Sequence, residues 1–230
     1  MKKIFLLGPS HHEGFTGCAL PSSKLTTYAT PLGNIRLDLE VIERLGKEKK
    51  HWSRLEKEVD EAEHSLEMHL PYIMHSMSDC DFTLVPIMVG SLSNGLEEVY
   101  GKILAPYADD ESNFFVISSD FCHWGKRFGY IPFNSKEYTH IYKYITDLDR
   151  QGMDAIESES TNTFRTYLHN TKNTICGRNP ILILLAIHAQ SKTQFRTHFV
   201  HYEQSSQCAD TSDSSVSYAS AVVYQEAPTN

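Results

Sequence analysis

Three apolar runs in this chain each end in a short stretch of polar side chains that can bind metals, and this pattern constrains the fold most. The runs cover residues 4–7, 114–117 and 199–202. The polar residues of interest that follow them are His11, Asp120, His123 and Cys208. Ligands of open α/β sheets bind outside the carboxyl ends of the strands. These side chains therefore meet in one pocket if the three runs are neighbouring parallel strands, and the pattern means little if they are not.

Strand-like and helix-like segments alternate along the chain. Strands are predicted at residues 3–7, 25–28, 82–89, 113–118, 195–202 and 216–224. Helices are predicted from the spacing of apolar residues at 37–47, 61–77, 96–107, 137–156, 163–169 and 180–189. This alternation predicts an α/β fold with a mixed, mostly parallel central sheet and helices on both faces. Since no helix separates the last two strands, we expect them to form an antiparallel hairpin.

Three residues are expected to interrupt or begin these helices. Pro71 lies inside the 61–77 segment, where its ring would clash with the carbonyl of Glu67, so a kink or break is expected there. A second break is expected near Gly152. Asn179 is a good N-cap, and Pro180 after it suits the first helical position.

Composition limits the class of protein. A chain of 230 residues, 40% of them hydrophobic, suits one domain, which we place at residues 1–225 with a disordered tail at 226–230. The net charge of −8 argues against nucleic-acid binding, which needs a basic face. The apolar runs are too short to span a membrane, which takes about 20 residues. Five cysteines without a CxxC pair predict reduced thiols in a cytoplasmic protein, with the nucleus as a second compartment.

His11 and His12 are the first candidate ligands. Adjacent residues of an extended chain point to opposite sides, so at most one of the two reaches a given pocket. The alternative is that both are exposed loop histidines without a function.

Asp120 and His123 follow a buried strand with a spacing of three residues. On a turn, this spacing lets the carboxylate orient the imidazole, as in general-base pairs and around metal sites. The alternative is that Asp120 caps the following turn while His123 packs locally. The sequence leaves these two interpretations equal.

The cysteines differ in their surroundings. Cys208 lies in a polar loop, where a thiol is either exposed and idle or acts as a ligand or nucleophile. Cys122 and Cys176 adjoin apolar residues and are predicted to be core cysteines. Together, histidine and cysteine favour a soft or borderline metal such as iron, copper or zinc.

The segment 63–69 is rich in ionisable groups. His64 and Glu67 share one helix face, whereas His69 lies well round the helix. The simplest interpretation is that these residues form the charged, exposed face of a helix. The leucines near His64 leave open that His64 instead faces the interior.

The sequence resembles the Memo family (mediator of cell motility) from its first strand to its last. Motifs of that family match residues 7–12 (LGPSHH), 63–72 (EHSLEMHLPY), 118–125 (SSDFCHWG), 173–178 (NTICGR), 204–208 (QSSQC) and 213–219 (DSSVSYA). The family is similar in fold to class III non-haem iron dioxygenases, which implies a single α/β domain.

The resemblance implies roles for particular residues. It implies that His11 and Cys208 are metal ligands and that Asp120 and His123 line the same cleft as catalytic groups. His12, His64 and Arg178 are expected contacts in that cleft, Arg178 as an anion contact. The implied cofactor is an iron or copper ion. Where the dioxygenases have a glutamate ligand, this assignment has a cysteine, which argues against dioxygenase activity.

One departure concerns the start of the chain. The family's first ligand is a histidine in an N-terminal His-Ala-Gly segment, which this sequence does not contain. We therefore expect the chain to be N-terminally truncated, with its first strand uncovered at one edge and a substitute ligand in the metal site.

Three functions follow from the resemblance. The first is a metal-binding redox and signalling protein that acts downstream of receptor tyrosine kinases in cell motility, with metal-dependent oxidoreductase activity left open. The second is an adaptor that binds phosphotyrosine peptides from receptors or other adaptors without metal chemistry. The third, ranked last, is a ring-opening dioxygenase.

Overall fold

The computed structural model describes residues 2–48, 50–93 and 95–226. The predicted disordered tail, 226–230, lies outside the described residues except for Glu226. Ten strands and eight α-helices cover most of the described chain.

The elements are numbered in chain order. The strands are β1 (Lys3–Pro9), β2 (Cys18–Leu20), β3 (Thr27–Thr30), β4 (Gly33–Arg36), β5 (Trp52–Arg54), β6 (Thr83–Val89), β7 (Asn113–Ile117), β8 (His123–Trp124), β9 (Phe195–Gln204) and β10 (Ser215–Gln225). The helices are α1 (Leu39–Gly46), α2 (Lys57–Ala62), α3 (His64–Glu67), α4 (Leu70–Ser76), α5 (Leu96–Ala108), α6 (Ile141–Glu157), α7 (Thr161–Thr171) and α8 (Arg178–Gln190).

The central sheet has five strands in the order β5-β2-β6-β1-β7. β1 pairs in parallel with both β6 and β7, β2 pairs in parallel with β5, and only the β2–β6 pair is antiparallel. The predicted single α/β domain with a mixed, mostly parallel sheet is therefore confirmed. From their second residue on, β1 and β6 lack polar side chains and are buried, as expected for strands covered on both faces.

The prediction of an uncovered first strand is wrong. β6 and β7 occupy the two edges of β1, with Leu7 opposite Ile87 on one side and Ile117 on the other. The first strand of the chain is thus a central strand of the sheet, because strands from later in the sequence return to pair with it.

A separate sheet has the order β8-β10-β9. β9 and β10 form the predicted antiparallel hairpin, with a bulge between Ser220 and Ala221. The third apolar run of the sequence, 199–202, therefore does not belong to the central sheet. Convergence of all four candidate site residues required the three apolar runs to be neighbouring parallel strands. β1 and β7 meet this requirement, and β9 does not.

Helices occupy all six predicted places in the described chain, although one predicted helix is divided into three, and two further expectations are wrong. The 61–77 segment is divided into α2, α3 and α4, and Pro71 lies in the first turn of α4, where its missing N–H costs nothing. α6 continues past Gly152, which faces the Tyr167 ring too closely for a larger side chain. α8 is capped by Gly177, not by Asn179, because Asn179 lies within the first turn and donates its side-chain amide to the Gly90 carbonyl, 2.8 Å away.

The core has two parts. One surrounds the central sheet and includes β1, β6 and the inward face of α1, while the other packs α6, α7 and α8 against the loop after β7. Within the described residues, no helix is long and apolar enough to cross a membrane.

Candidate metal centre

The carboxyl ends of β1 and β7 lie side by side. Leu7 and Ile117 are paired in the sheet, so the segments that leave these strands start next to each other. One segment carries His11 and the other carries Asp120. For these two residues the predicted arrangement at the strand ends is found.

Glu63 orients His11. Its carboxylate accepts a hydrogen bond from the His11 backbone N–H at 2.6 Å and contacts the imidazole Nδ1 at 2.8 Å. The same carboxylate accepts the Ser65 N–H at 2.9 Å and is almost completely buried. A carboxylate on one ring nitrogen leaves Nε2 as the ligand atom, an arrangement common around metal-binding histidines.

Two more histidines surround this pair. The His64 ring stacks on the His11 ring with centroids 4.5 Å apart, and the His12 ring meets His64 edge-on at 6.0 Å. Ligand atoms of His11, Glu63 and His64 lie within 4.8 Å of one another. The structure therefore brings together three of the four histidines predicted to lie at the cleft, His11, His12 and His64.

Cys176 is the cysteine at this site. Its thiol, together with the Glu63 carboxylate 2.8 Å from Nδ1, raises the pKa of the His11 imidazole to about 10. Its Sγ accepts the Asp120 backbone N–H at 3.1 Å. Cys176 is partly exposed, so the prediction that it is a core cysteine is wrong.

Cys208 lies elsewhere. It is 0% exposed and packs in the apolar cluster of α6, α7 and α8, and burial raises the pKa of its thiol. Its carbonyl accepts the Tyr142 N–H at 3.0 Å. Like Cys176, it lies outside the group of potential metal ligands that His11, Glu63 and His64 form among the described residues. The role of Cys208 as a metal ligand stays a prediction.

Asp120 lies on the loop after β7, and His123 is the first residue of β8. The Asp120 carboxylate is 3.8 Å from Nε2 of His123, while Nδ1 of His123 contacts the Phe121 carbonyl at 3.0 Å. The carboxylate therefore lies near the imidazole, but the hydrogen bond that holds the ring is the one to the backbone carbonyl. Cys122 between them is fully buried, as predicted.

His69 lies between the short helices α3 and α4, as the N-cap of α4. Burial lowers its pKa, and the negative charge of Asp120 opposes this effect.

A buried polar network supports the Cys176 loop. The Asp149 carboxylate accepts hydrogen bonds from Asn173 Nδ2 at 2.8 Å, from Tyr202 OH at 2.9 Å and from the Ser217 hydroxyl. From Asn173 the network continues to the Thr174 N–H, and Thr174 Oγ1 accepts the His123 N–H at 2.7 Å. The loop with Cys176 is therefore joined to the loop with Asp120 and His123.

Gly177 lets these two loops approach. A Cβ at this position would lie 2.3 Å from the Ser119 Cβ and 2.5 Å from the Ser118 carbonyl oxygen. The Gly177 N–H also donates to the Ser119 hydroxyl at 3.1 Å. Arg178 follows as the first residue of α8, exposed, with Nη1 3.1 Å from the Ile175 carbonyl.

Comparison with known proteins decides the family. A family model described as "Memo-like protein" matches residues 1–222. The chain belongs to the Memo-like family. The resemblance noted in the sequence is thereby confirmed.

Individual Memo-like proteins agree with this assignment. The chain is 44% identical over 232 residues to the "Protein memo-1 homolog" of Caenorhabditis elegans, covering 97% of this chain and 64% of that protein. It is 44% identical over 227 residues to "Protein MEMO1" of Homo sapiens and of Danio rerio, covering 96% of this chain and 75% of each. This Memo-like chain therefore spans less than two thirds of the worm protein and three quarters of the vertebrate ones.

Two sequence features of the Memo-like chain could have located the residues that were missed. Glu63 directly precedes the short α3, where its side chain caps the helix and is free to reach back to β1. Cys176 directly precedes Gly177 at the start of α8, and a small residue there permits close approach of the neighbouring loop. Neither feature reveals which strand end the residue meets.

Proposed function

We propose that this Memo-like chain binds a soft or borderline transition metal ion through His11 and Cys176. The proposal rests on one observation: the Glu63 carboxylate holds Nδ1 of His11 at 2.8 Å, and the Cys176 thiol acts on the same imidazole by raising its pKa. It replaces Cys208 with Cys176 in the ligand set expected from the sequence.

The residues present fit such an ion. An imidazole and a thiolate are the ligands that iron, copper and zinc accept, whereas magnesium and calcium require more carboxylates. Glu63 would hold His11 in one orientation as a neighbouring group, and the Asp120 backbone N–H donates a hydrogen bond to Cys176 Sγ. A bound iron or copper ion would supply one-electron redox chemistry at this place.

The family resemblance extends this proposal to the cell. On this extended proposal, the metal centre belongs to a redox and signalling protein that acts downstream of receptor tyrosine kinases in cell motility. The support for this extension is the relationship to the MEMO1 proteins, and its test is cellular: loss of the metal ligands should impair migration as strongly as loss of the protein.

Anaerobic calorimetric titration with Fe(II) and with Cu(I) tests the metal site. We expect binding at one site in the native chain, unchanged in Cys208→Ser and weakened at least tenfold in Cys176→Ser. The two variants make the same chemical change, so Cys208→Ser controls for general loss of a thiol.

Two results would overturn the proposal. Unchanged affinity in Cys176→Ser would show that this thiol is not a ligand. Loss of binding in Cys208→Ser alone would restore the ligand set expected from the sequence, provided that circular dichroism shows both variants to be folded.

Recognition of a phosphotyrosine peptide is the second candidate function. The exposed Arg178 side chain lies at the start of α8, where backbone N–H groups and the helix dipole favour anions. We expect a phosphotyrosine peptide to bind more tightly than its tyrosine counterpart, and Arg178→Gln to remove this preference. Arg150→Gln, an exposed site on α6, is the matched control. Equal affinity for the two peptides would exclude this function.

A further inference from the structure

β7 is an edge strand of the central sheet. Within the described part of the chain it pairs with β1 on one side and with no strand on the other. Edge strands present unpaired N–H and C=O groups, and proteins usually cover or block them.

A hydrogen bond just after the end of β7 shows which way the backbone groups of this strand point. Ser118 donates its N–H to the Leu7 carbonyl of β1 at 2.8 Å. Because alternate residues of a strand direct their backbone groups to opposite sides, Val116 and Phe114 also face β1. Phe115 and Ile117 therefore direct their N–H and C=O groups to the open edge.

β7 has the composition of an interior strand but not its burial. Four of its five residues are Phe114, Phe115, Val116 and Ile117, and all of its residues are at least partly exposed. Phe114 is 48% exposed. The neighbouring β1 and β6, equally apolar, are almost entirely buried. The exposed surface of β7 is thus the kind that usually faces another element.

A groove of about 740 Å³ runs along this edge, between β7, α8 and the β9–β10 hairpin. Its walls are mostly apolar and include the exposed Val222 and Val223 of β10. Two buried polar atoms in the walls lack a hydrogen-bonding partner, Asn113 Oδ1 and Thr197 Oγ1. Buried polar atoms are nearly always paired, so these two point to a ligand with hydrogen-bonding groups of its own.

The outer edge of β9, which pairs with no strand in the described chain, is blocked by side chains. Glu159 accepts the Thr197 N–H and Glu157 accepts the Phe199 N–H, so these outward N–H groups of β9 are satisfied by side chains. No comparable carboxylate contacts β7 among the described residues, where the only acidic groove residue is Glu111. The chain therefore protects one edge from pairing and leaves the other available.

We propose that the groove binds an extended, apolar polypeptide segment as an added strand along β7. The backbone of that segment would pair with Phe115 and Ile117, and its apolar side chains would pack against Phe114 and the hairpin. Memo-like relatives carry further polypeptide, since 25% of the human protein and 36% of the worm protein lie outside the matched region. This proposal does not depend on the metal site.

The probe is a fluorescein-labelled eight-residue peptide of alternating valine and threonine with a lysine at each end. We expect saturable binding to the native chain, measured by fluorescence anisotropy. We also expect slower hydrogen exchange at the Phe115 and Ile117 amides with peptide present. A fully N-methylated peptide, which has the same side chains but no N–H to donate, should bind at least tenfold more weakly.

A pair of variants supplies the control on the protein side. Phe114→Glu places a charge in the groove and should weaken peptide binding at least tenfold. Tyr72→Glu, at a 72% exposed aromatic residue of α4 outside the groove, should leave binding unchanged. Both positions are exposed, so both variants should fold, which thermal melts would check.

Three results would overturn the proposal. The first is no peptide binding. The second is equal binding of the N-methylated peptide without amide protection, which would make the groove a site for apolar molecules in general. The third is protection of Phe115 and Ile117 that rises with protein concentration in the absence of peptide, which would assign the edge to a second copy of this chain.

Discussion

His11 and Glu63 are 52 residues apart in the sequence, yet two hydrogen bonds join them, one to the backbone N–H of His11 and one to its ring. This contact connects the end of β1 to the start of α3. It fixes the imidazole toward Cys176, and the candidate metal centre depends on it.

Removing the Glu63 side chain should destabilise the fold. In Glu63→Ala the partly buried backbone N–H of His11 and the buried N–H of Ser65 lose their acceptor, and the loss at a buried donor costs roughly 1–3 kcal/mol. We expect the free energy of unfolding, measured with urea, to fall by about 2–4 kcal/mol. The exposed Glu61→Ala should change it by less than about 0.5 kcal/mol. A similar small change in Glu63→Ala would contradict the contact.

The His11–Glu63 pair should make stability depend on pH. Although burial opposes it, hydrogen bonding to His11 and to the Ser65 N–H lowers the pKa of Glu63 from 4.5 to about 2, and this contribution is lost as the pH falls through that range. The pKa of His11 rises from 6.5 to about 10, so its contribution is complete below 6.5 and lost as the pH rises toward 10.

The stabilisation from the pair is therefore greatest between pH 4.5 and 6.5. We expect the difference in unfolding free energy between the native chain and Glu63→Gln to be largest in that window and smaller on either side. Urea unfolding at several pH values measures it. A difference that does not vary with pH would show that the two groups are not coupled.

Gly177→Ala should separate the two loops of the site. The added methyl group meets the Ser118 carbonyl oxygen and the Ser119 Cβ, and backbone atoms cannot move aside cheaply. We expect a loss of about 1–3 kcal/mol in stability and at least a tenfold loss in metal affinity. Gly14→Ala, where no atom lies within 4 Å of the new Cβ, is the control and should change neither. Native affinity in Gly177→Ala would show that the site tolerates loop movement.

Asp149→Ala should weaken both the core and the site. The buried donors Asn173, Tyr202 and Ser217 would lose their common acceptor, for an expected loss of about 3–4 kcal/mol. Because Asn173 is joined to the Cys176 loop, alkylation of the Cys176 thiol by iodoacetamide should also change in rate. Asp154→Ala, an exposed site on the same helix, should alter neither quantity. An unchanged alkylation rate would confine Asp149 to a structural role.

The local patterns of the sequence determined most of the elements. The apolar runs that became β1, β6, β7, β9 and β10 were recognisable because each is long and rich in β-branched or aromatic residues. The three-residue strands β2 and β5 were not, since so few residues carry no periodicity. Pro71 marked a true helix break because its effect is local, whereas Gly152 did not, because helix packing outweighs the small helix propensity of glycine.

The sequence by itself determined the α/β class, the hairpin, and the placement of His11 and Asp120 at strand ends, because these follow from short-range spacing and from motifs. Only the tertiary structure decided which cysteine and which carboxylate meet His11. Glu63 and the Cys176 loop approach it through the packing of α3 and α8 against β1, whereas Cys208 is buried in the apolar cluster of α6, α7 and α8. Such contacts join residues far apart in the chain, and their energy comes from burial and packing that no local pattern of residues records.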